Sequence, residues 1–324
     1  MRGEGKALGR VGGQGLPRRV GMVRRRPVLV VEKLEGKMLD RRQGPGGEDV
    51  GNVIEMEHVN LTVPDQGMAT LFYISGLGGT RDPYLMVGTE NMWVNIGEQQ
   101  FHLPTRGAQV IHGHVGLVVS DLDALIQRLG DVRDGLAGTS FQWEAEDGQV
   151  KVTGPWGNHF RCYASGQGFS GMNVGISYVE FLVRPGTADG IKEFYRRVLR
   201  APASMIRGEK GTAVRVLVGR GQALIFRETV EALRPYDGHH IAVYVADFSG
   251  PYRALKRRVL ITEEFANHQF RFHDIVNPKT GEKLFQLEHE VRSMRHPMYR
   301  RNLVNRDPAQ SLGSYVRGRD AFAP

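Results

Sequence analysis

The feature that most constrains the fold is an internal repeat. Two parts of the chain have the same pattern. One contains His58–Pro64 and then helical residues around Phe72, and the other contains Tyr178–Pro185 and then helical residues around Phe194. The two phenylalanines are 122 residues apart. Two glycine pairs are each 124 residues apart, Gly97 with Gly221 and Gly157 with Gly281. A near-constant offset over many elements indicates a duplicated unit rather than chance.

Each half divides again into two similar modules. The stretch His114–Asp121 repeats the opening strand pattern within the first half, and His240–Asp247 repeats it within the second half. An amphipathic helix and three alternating strands with Gly and Pro turns follow each opening strand, which predicts four copies of a βαβββ module. We expect consecutive modules to pair, because sequential elements are usually neighbours in space. Pairing of the first module with the fourth is the alternative.

The repeat predicts four parts in the chain. Residues 1–53 form a basic Gly/Arg-rich tail that is disordered or has a targeting role, residues 54–167 a first domain, residues 172–291 a second, degenerate domain, and residues 292–324 a C-terminal extension. The extension has no periodic element, so it is interpreted either as a disordered tail or as a segment that wraps across the domains or a partner subunit.

The composition excludes several classes of protein. The net charge is +8, but residues 1–50 carry 12 basic and 6 acidic side chains, while the other 274 residues carry 31 and 29. The body is therefore nearly neutral, which argues against a nucleic-acid partner. No run approaches 18 apolar residues, which argues against a membrane partner. The single cysteine, Cys162, excludes an internal disulfide and a cysteine-based zinc cluster.

The tail is compatible with two predictions of where the protein is located in the cell. The first is a cytoplasmic protein whose tail is solvated, or whose translation starts at Met22, Met38 or Met56. The second is a mitochondrial or other organellar protein, since the start of the chain is rich in Arg and poor in acids. Transit peptides are usually rich in Ser, and the first Ser here is Ser75, so the cytoplasmic reading is preferred.

Three motifs carry a resemblance to a known family. They are Gln100-Phe-His-Leu103, Gly113-His-Val-Gly-Leu-Val-Val119 and Gly154-Pro-Trp-Gly-Asn158, in this order along the chain. Together with the four modules, they resemble the vicinal oxygen chelate superfamily, which contains glyoxalase, the extradiol dioxygenases and the bleomycin- and fosfomycin-resistance proteins. The resemblance covers residues 56 to about 290. It implies an α+β fold in which four βαβββ modules form two tandem domains of this type.

The resemblance also implies a metal site at the first and last strands of two paired modules. With consecutive modules paired, these positions fall on His58, His102, His114 and Arg161. Side chains two residues apart share one face of a strand, so the first three imidazoles can meet on one side, and Gly116 would leave open volume beside them. Three imidazoles suit a divalent Fe, Mn, Ni, Co or Zn ion.

Two features of the predicted site are unusual for the superfamily. Arg161 stands where a carboxylate is usual, and a guanidinium does not ligate a metal, so it either contacts the anionic group of a substrate or replaces the metal altogether. The equivalent positions of the second half are Tyr178, Phe226, His240 and Phe285, which leaves one suitable ligand there. If the first module instead pairs with the fourth, the cluster is His58, His102 and His240.

The expected function is that of a metal-dependent enzyme acting on a small oxygenated substrate, with dioxygenase-like or lyase- or isomerase-like chemistry. Four modules in one chain favour the dioxygenases. Glyoxalase activity is disfavoured because His102 and Arg161 occupy both positions where a carboxylate base would act. The alternative is a non-catalytic protein of the same fold that sequesters a small ligand without metal. The expected partner is a small molecule, and the chain is expected to be a monomer or a homodimer.

Overall fold

The computed structural model describes residues 49–82, 90–146, 148–166, 169, 172–301 and 303. The predicted tail lies almost wholly outside the described residues, as does the end of the C-terminal extension. The first described strand begins at Val53, one residue before the predicted start of the first domain at residue 54. Among the described residues, no helix is both long and apolar enough to span a membrane.

The four predicted βαβββ modules are present. The first comprises β1 (Val53–Asn60), α1 (Gln66–Ala69) with its π-helical continuation Thr70–Gly76, β2 (Thr80–Arg81), β3 (Asn91–Ile96) and β4 (Gln99–Pro104). The second comprises β5 (Gly113–Val119), α2 (Leu122–Asp131), a 3-10 turn (Asp134–Leu136), β6 (Gln142–Glu146), β7 (Gln149–Thr153) and β8 (His159–Ala164).

The second half repeats the same order. The third module comprises β9 (Gly175–Val183), α3 (Ala188–Phe194) with its π-helical continuation Tyr195–Leu199, β10 (Ala203–Gly208), β11 (Gly211–Gly219) and β12 (Gln222–Glu228). The fourth comprises β13 (His240–Val245), α4 (Ser249–Lys256), β14 (Ile261–Phe265), β15 (Gln269–Val276) and β16 (Lys283–Ser293).

The modules combine into two eight-stranded sheets. Sheet 1 has the order β14-β15-β16-β13-β1-β4-β3-β2, and sheet 2 has the order β10-β11-β12-β9-β5-β8-β7-β6. The first module therefore pairs with the fourth, and the second pairs with the third. The expectation that modules pair consecutively within each half is wrong. The connection from β4 to β5 crosses from one sheet to the other, so adjacency in sequence does not give adjacency in a sheet.

Each sheet has one face against the helices and one helix-free face. Alternate residues of the first strands, such as Val59 on β1 and Leu117 on β5, lie in the apolar core with Phe72 of the first module's helix. Their strand neighbours, among them His58 and His114, point to the helix-free faces, because side chains alternate along a strand. The candidate site residues are therefore distributed over these two helix-free faces.

Aromatic rings and two glutamines join the two sheets. Phe101 on β4 and Phe160 on β8 have ring centroids 5.9 Å apart within the apolar core. The Gln222 side chain accepts from the Met56 N–H at 3.0 Å and donates to its carbonyl at 2.9 Å. At the equivalent point of the first module, Gln99 accepts from the Ile176 N–H at 3.2 Å. The amides thus satisfy backbone groups that strand pairing leaves open.

Candidate metal centre

Three imidazoles converge on the helix-free face of sheet 1. His58 on β1, His102 on β4 and His240 on β13 each present a nitrogen, and these three atoms lie within 4.8 Å of one another. The Nε2 atoms of all three rings are buried and have no hydrogen-bond partner among the described residues. Three buried imidazole nitrogens without partners would be costly unless another group satisfied them.

The ladder registers explain why these side chains meet. On β1 and β13, which run antiparallel, His58 is paired with Ala242 and Asn60 with His240, so the two histidines are diagonal neighbours. On the parallel neighbour β4, His102 is paired with Asn60. Residues at such positions on adjacent strands project from the same face within contact distance.

A carboxylate occupies the fourth position of this arrangement. Glu290 on β16 is paired with Ala242 of β13, just as His102 on β4 is paired with Asn60 of β1. An approximate twofold axis that exchanges β1 with β13 therefore places Glu290 at the position equivalent to His102. Oε2 of Glu290 lies 3.8 Å from Nε2 of His240, and the side chain is 4 % exposed. The sequence assigned this position to Phe285, and that assignment is wrong, because Phe285 packs against the apolar core on the helix side of the sheet.

Two further carboxylates hold the imidazoles in the orientation that a metal requires. Glu57 contacts Nδ1 of His58 at 2.8 Å, and an irregularity in the β1–β13 register between Met56 and His58 accompanies this contact. Oε1 of Glu288 lies 3.4 Å from Nδ1 of His240. A carboxylate at Nδ1 favours the tautomer that leaves the Nε2 lone pair for a metal.

Two arginines neutralise part of this negative charge. Arg292 forms ion pairs with both Glu57 and Glu290, and Nη2 of Arg271 lies 2.7 Å from Glu290. Burial alone would raise the pKa of Glu57, but Arg292 and the hydrogen bond with His58 lower it to about 2. Burial alone would also raise the pKa of Glu290, but the same guanidinium and the nearby imidazoles lower it. Both carboxylates are therefore ionised at neutral pH.

Two of the three imidazoles, His102 and His240, are neutral at physiological pH. Burial, with the neighbouring His58 and His240, lowers the pKa of His102 to about 2. Burial, followed by the neighbouring His58, lowers the pKa of His240 well below its usual range. Since a metal binds the neutral imidazole, His102 and His240 are in the protonation state that ligation needs.

Trp93 forms an aromatic wall against the cluster. Its ring stacks on His102 with centroids 4.0 Å apart and meets His58 edge-on at 4.8 Å. The aromatic contact fixes the ring planes of two of the three imidazoles and excludes water from one side of them.

A polar cleft lies beside Glu57, the residue that contacts His58 of the cluster. It has a volume of about 540 Å³, and its lining includes Glu55, Glu57, Gln100 and Tyr244. Burial, followed by the proximity of Glu57 and Glu98, raises the pKa of Glu55 to about 7. The cleft therefore contains a carboxyl group that is partly protonated at neutral pH.

The described part of the C-terminal extension covers one side of this cleft. Tyr299 packs on Tyr244 with ring centroids 4.9 Å apart. The buried Arg301 forms an ion pair with Asp82 and donates to Gln100 at 3.2 Å. These contacts place residues 299–301 against sheet 1, where Arg300 and Arg301 contribute positive charge to the cleft.

Comparison with solved structures gives similar architectures at low sequence identity. A glyoxalase I variant from Zea mays is 13% identical with a TM-score of 0.52, and the match covers 75% of this chain and 94% of that one. A candidate dioxygenase from Bacillus subtilis is 15% identical with a TM-score of 0.50, covering 75% and 86%. The chain has the vicinal oxygen chelate fold. No protein-family profile matches the chain, and no curated protein matches it in sequence.

Within this fold, the predicted site residues separate into two groups. His58, His102 and His240 come together, as the alternative module pairing predicts, whereas His114 and Arg161 lie on the helix-free face of sheet 2. The preferred set of His58, His102 and His114 is therefore not assembled. The carboxylate Glu290, which sequence reasoning missed, joins the first group.

The second group forms a site without the features of a metal centre. Tyr178 fills the space beside Gly116, where an added Cβ would lie 2.1 Å from the tyrosine ring, so the open volume expected there is absent. The Tyr178 hydroxyl lies 3.1 Å from Nε2 of His114 and so occupies the nitrogen that a metal would need. The predicted equivalent Phe226 lies in the apolar core, and its neighbour Ile225 faces the site instead.

Cys162 has no role in either site. It is fully buried in the apolar core, and burial raises the pKa of its thiol to about 12. A buried thiol with a raised pKa is unreactive, as the strand alternation predicts.

Proposed function

We propose that this protein is a metal-dependent enzyme in which His58, His102, His240 and Glu290 hold one divalent ion of Fe, Mn, Ni, Co or Zn. The observation that carries the proposal is the convergence of three buried Nε2 atoms that have no protein partner. Imidazole with a single carboxylate is a ligand set that suits these ions. An ion bound here would act as a Lewis acid that polarises adjacent oxygen atoms of a substrate.

The cleft beside Glu57 is lined by polar groups that suit a small oxygenated substrate. Its charges are mixed, because Arg220, Arg300 and Arg301 share the lining with Glu55, Glu57 and Glu98. Gln100 and Tyr244 offer neutral hydrogen-bonding groups. Guanidinium groups bind oxygen atoms with paired hydrogen bonds, so the protein's own contribution is to orient the oxygens of the substrate.

Glu55 provides a group for proton transfer in the same cleft. Its pKa of about 7 allows it to accept a proton from a substrate and return it at neutral pH. Together with the buried carboxylate Glu290, it removes the objection to lyase- or isomerase-like chemistry that rested on missing carboxylates. Dioxygenase-like and glyoxalase-like reactions are thus both compatible with the site, and the substrates to screen are catechols and dicarbonyl compounds.

Elemental analysis tests the proposal directly. The full-length protein is purified without chelators and without oxygen, beside His58→Ala, His240→Ala and His114→Ala variants. We expect about one metal ion per chain in the wild type and in His114→Ala, and loss of the metal in the other two variants. His114 is the matched control, because it is an equally buried strand histidine on the other sheet.

Two outcomes would contradict the proposal. A folded wild-type protein without stoichiometric metal would favour the alternative function, a protein that sequesters a small ligand. Metal that is lost in His114→Ala and kept in His240→Ala would place the site on sheet 2.

A further inference from the structure

We propose that the helix-free face of sheet 2 is a second binding site, which takes a small carboxylate through Arg161 and does not depend on the metal centre. The site occupies the positions on sheet 2 that correspond to the His cluster on sheet 1. The correspondence follows from the strand registers and does not require any ligand to be present.

The ladder of sheet 2 reproduces that of sheet 1. Arg161 on β8 is paired with Gly116, which is the relation of His102 to Asn60. Tyr178 on β9 is also paired with Gly116, which is the relation of His240 to Asn60. The donor positions of the metal centre are therefore occupied here by His114, Arg161 and Tyr178.

This replacement changes which kind of ligand the position attracts. Imidazole lone pairs and a carboxylate attract a cation, whereas a guanidinium attracts an anion. His114 has its Nε2 engaged by Tyr178, whose hydroxyl in turn lies 2.9 Å from the hydroxyl of Tyr163. Arg161 is left as the group with unused hydrogen-bonding capacity.

The Arg161 guanidinium makes no hydrogen bond or ion pair with any described residue, whereas Glu180 and Lys151 close to it are both paired. Glu180 is held by Arg227 through two contacts of 3.1 and 2.9 Å. Lys151 forms an ion pair with Glu146. A half-buried guanidinium that the protein leaves unmatched is able to use its planar donor fork on a ligand.

The positive charge of Arg161 lowers the pKa of two neighbouring histidines. Burial and then Arg161 lower the pKa of His114 to about 3, and the same two causes lower the pKa of His159. Both imidazoles stay neutral, so they are able to donate or accept a hydrogen bond without adding charge. Glu144 is the carboxylate of the lining, and it lies at the exposed edge.

The cleft suits a small, polar ligand. It has a volume of about 350 Å³, which is the size of a small-molecule site. Trp143, Val152 and Phe160 turn to the apolar core on the opposite face of the sheet, so the side chains that accompany Arg161 in the cleft are polar, among them Thr153. A small carboxylate on the Arg161 fork, with hydrogen bonds to these neighbours, would match this lining.

Binding of trifluoroacetate to the full-length protein, followed by ¹⁹F NMR, tests this site, because this probe is a small carboxylate without an aromatic ring. We expect saturable binding to the wild type, at least about tenfold weaker binding to Arg161→Met, and an intermediate affinity for Arg161→Lys, because lysine keeps the charge but loses the planar fork. The His58→Ala variant should bind as the wild type does, although it loses the metal centre. Circular dichroism and thermal unfolding of each variant check that the protein is folded.

Three results would overturn the proposal. These are no saturable binding to the wild type, binding that Arg161→Met leaves unchanged, and binding that His58→Ala abolishes, since the last would place the probe at the metal centre. Inorganic phosphate is tested as a competitor in the same experiment. If phosphate binds to this site at least as tightly as trifluoroacetate, a carboxylate is the wrong ligand class, and this result also overturns the proposal.

Discussion

Nδ1 of His58 lies 2.8 Å from the Glu57 carboxylate, and Nε2 of the same ring faces two other imidazoles without a hydrogen-bond partner. Both residues are buried, and Arg292 forms an ion pair with the Glu57 carboxylate. A carboxylate, an imidazole and a free lone pair in this order form the pattern by which proteins orient a metal-binding histidine.

Replacing Glu57 should therefore weaken metal binding although Glu57 is not a ligand. In Glu57→Gln the side chain keeps its size but loses its charge, and we expect metal affinity to fall about 10- to 100-fold, as is typical when a partner of a ligand is lost. Competition with a chromophoric chelator measures the affinity. Glu55→Gln, on the same strand and without contact to His58, is the control, and an equal loss in both variants would contradict the role given to Glu57.

Part of this site follows from local sequence patterns. The family resemblance implies His58 and His102 as ligands, strand alternation predicts that they can share one face, and both lie on the helix-free face of sheet 1. The third member was either His114 or His240, depending on whether the second or the fourth module pairs with the first. That choice depends on contacts between residues far apart in sequence, which neither strand alternation nor the repeat offset specifies.

Glu290 was missed for a different reason. The repeat offset of 124 residues leads from Arg161 to Phe285, but the ladder of β13 and β16 places Glu290 at the equivalent point, five residues later. The β15–β16 ladder is irregular, and β16 has 11 residues, so the offset is not kept across this hairpin. The alternation of charged residues at 288, 290 and 292 beside apolar ones was the signal that could have identified the polar face of this strand.

The fourth ligand position makes a separate prediction. Glu290→Gln keeps an oxygen for Arg271 and Arg292 but removes the negative charge, so we expect metal affinity to fall at least about tenfold. Isothermal titration of the metal-free protein with Zn²⁺ measures this change. Glu264→Gln is the control. Glu264 is an exposed carboxylate on β14, the far strand of the same sheet, where it pairs with Lys256. The Glu264→Gln variant should bind Zn²⁺ as the wild type does. Equal affinity in the two variants would exclude Glu290 as a ligand.

The aromatic core between the sheets should dominate stability. Phe160 is fully buried, with ring centroids of Phe72 and Phe101 at 5.5 and 5.9 Å. Phe160→Ala should reduce the free energy of unfolding by about 3–5 kcal/mol, because it removes buried apolar surface and leaves a cavity. Urea unfolding followed by circular dichroism measures the loss. Val230→Ala, at a side chain that is 94 % exposed, should change stability by less than about 0.5 kcal/mol.

Acid sensitivity should depend on His114. Its pKa in the folded protein is about 3, chiefly because of burial and Arg161, whereas an unfolded histidine titrates near pH 6.5. The unfolded chain therefore binds the proton first, so this contribution to stability is complete above pH 6.5 and is lost progressively as the pH falls towards 3. At pH 5 the loss of stability from this group is about 2 kcal/mol, at 1.36 kcal/mol per pH unit.

Urea unfolding of the wild type and His114→Gln at pH 7 and pH 5 measures the effect. The variant should lose about 2 kcal/mol less than the wild type between the two values. An identical loss in wild type and His114→Gln would show that His114 does not titrate as its burial implies.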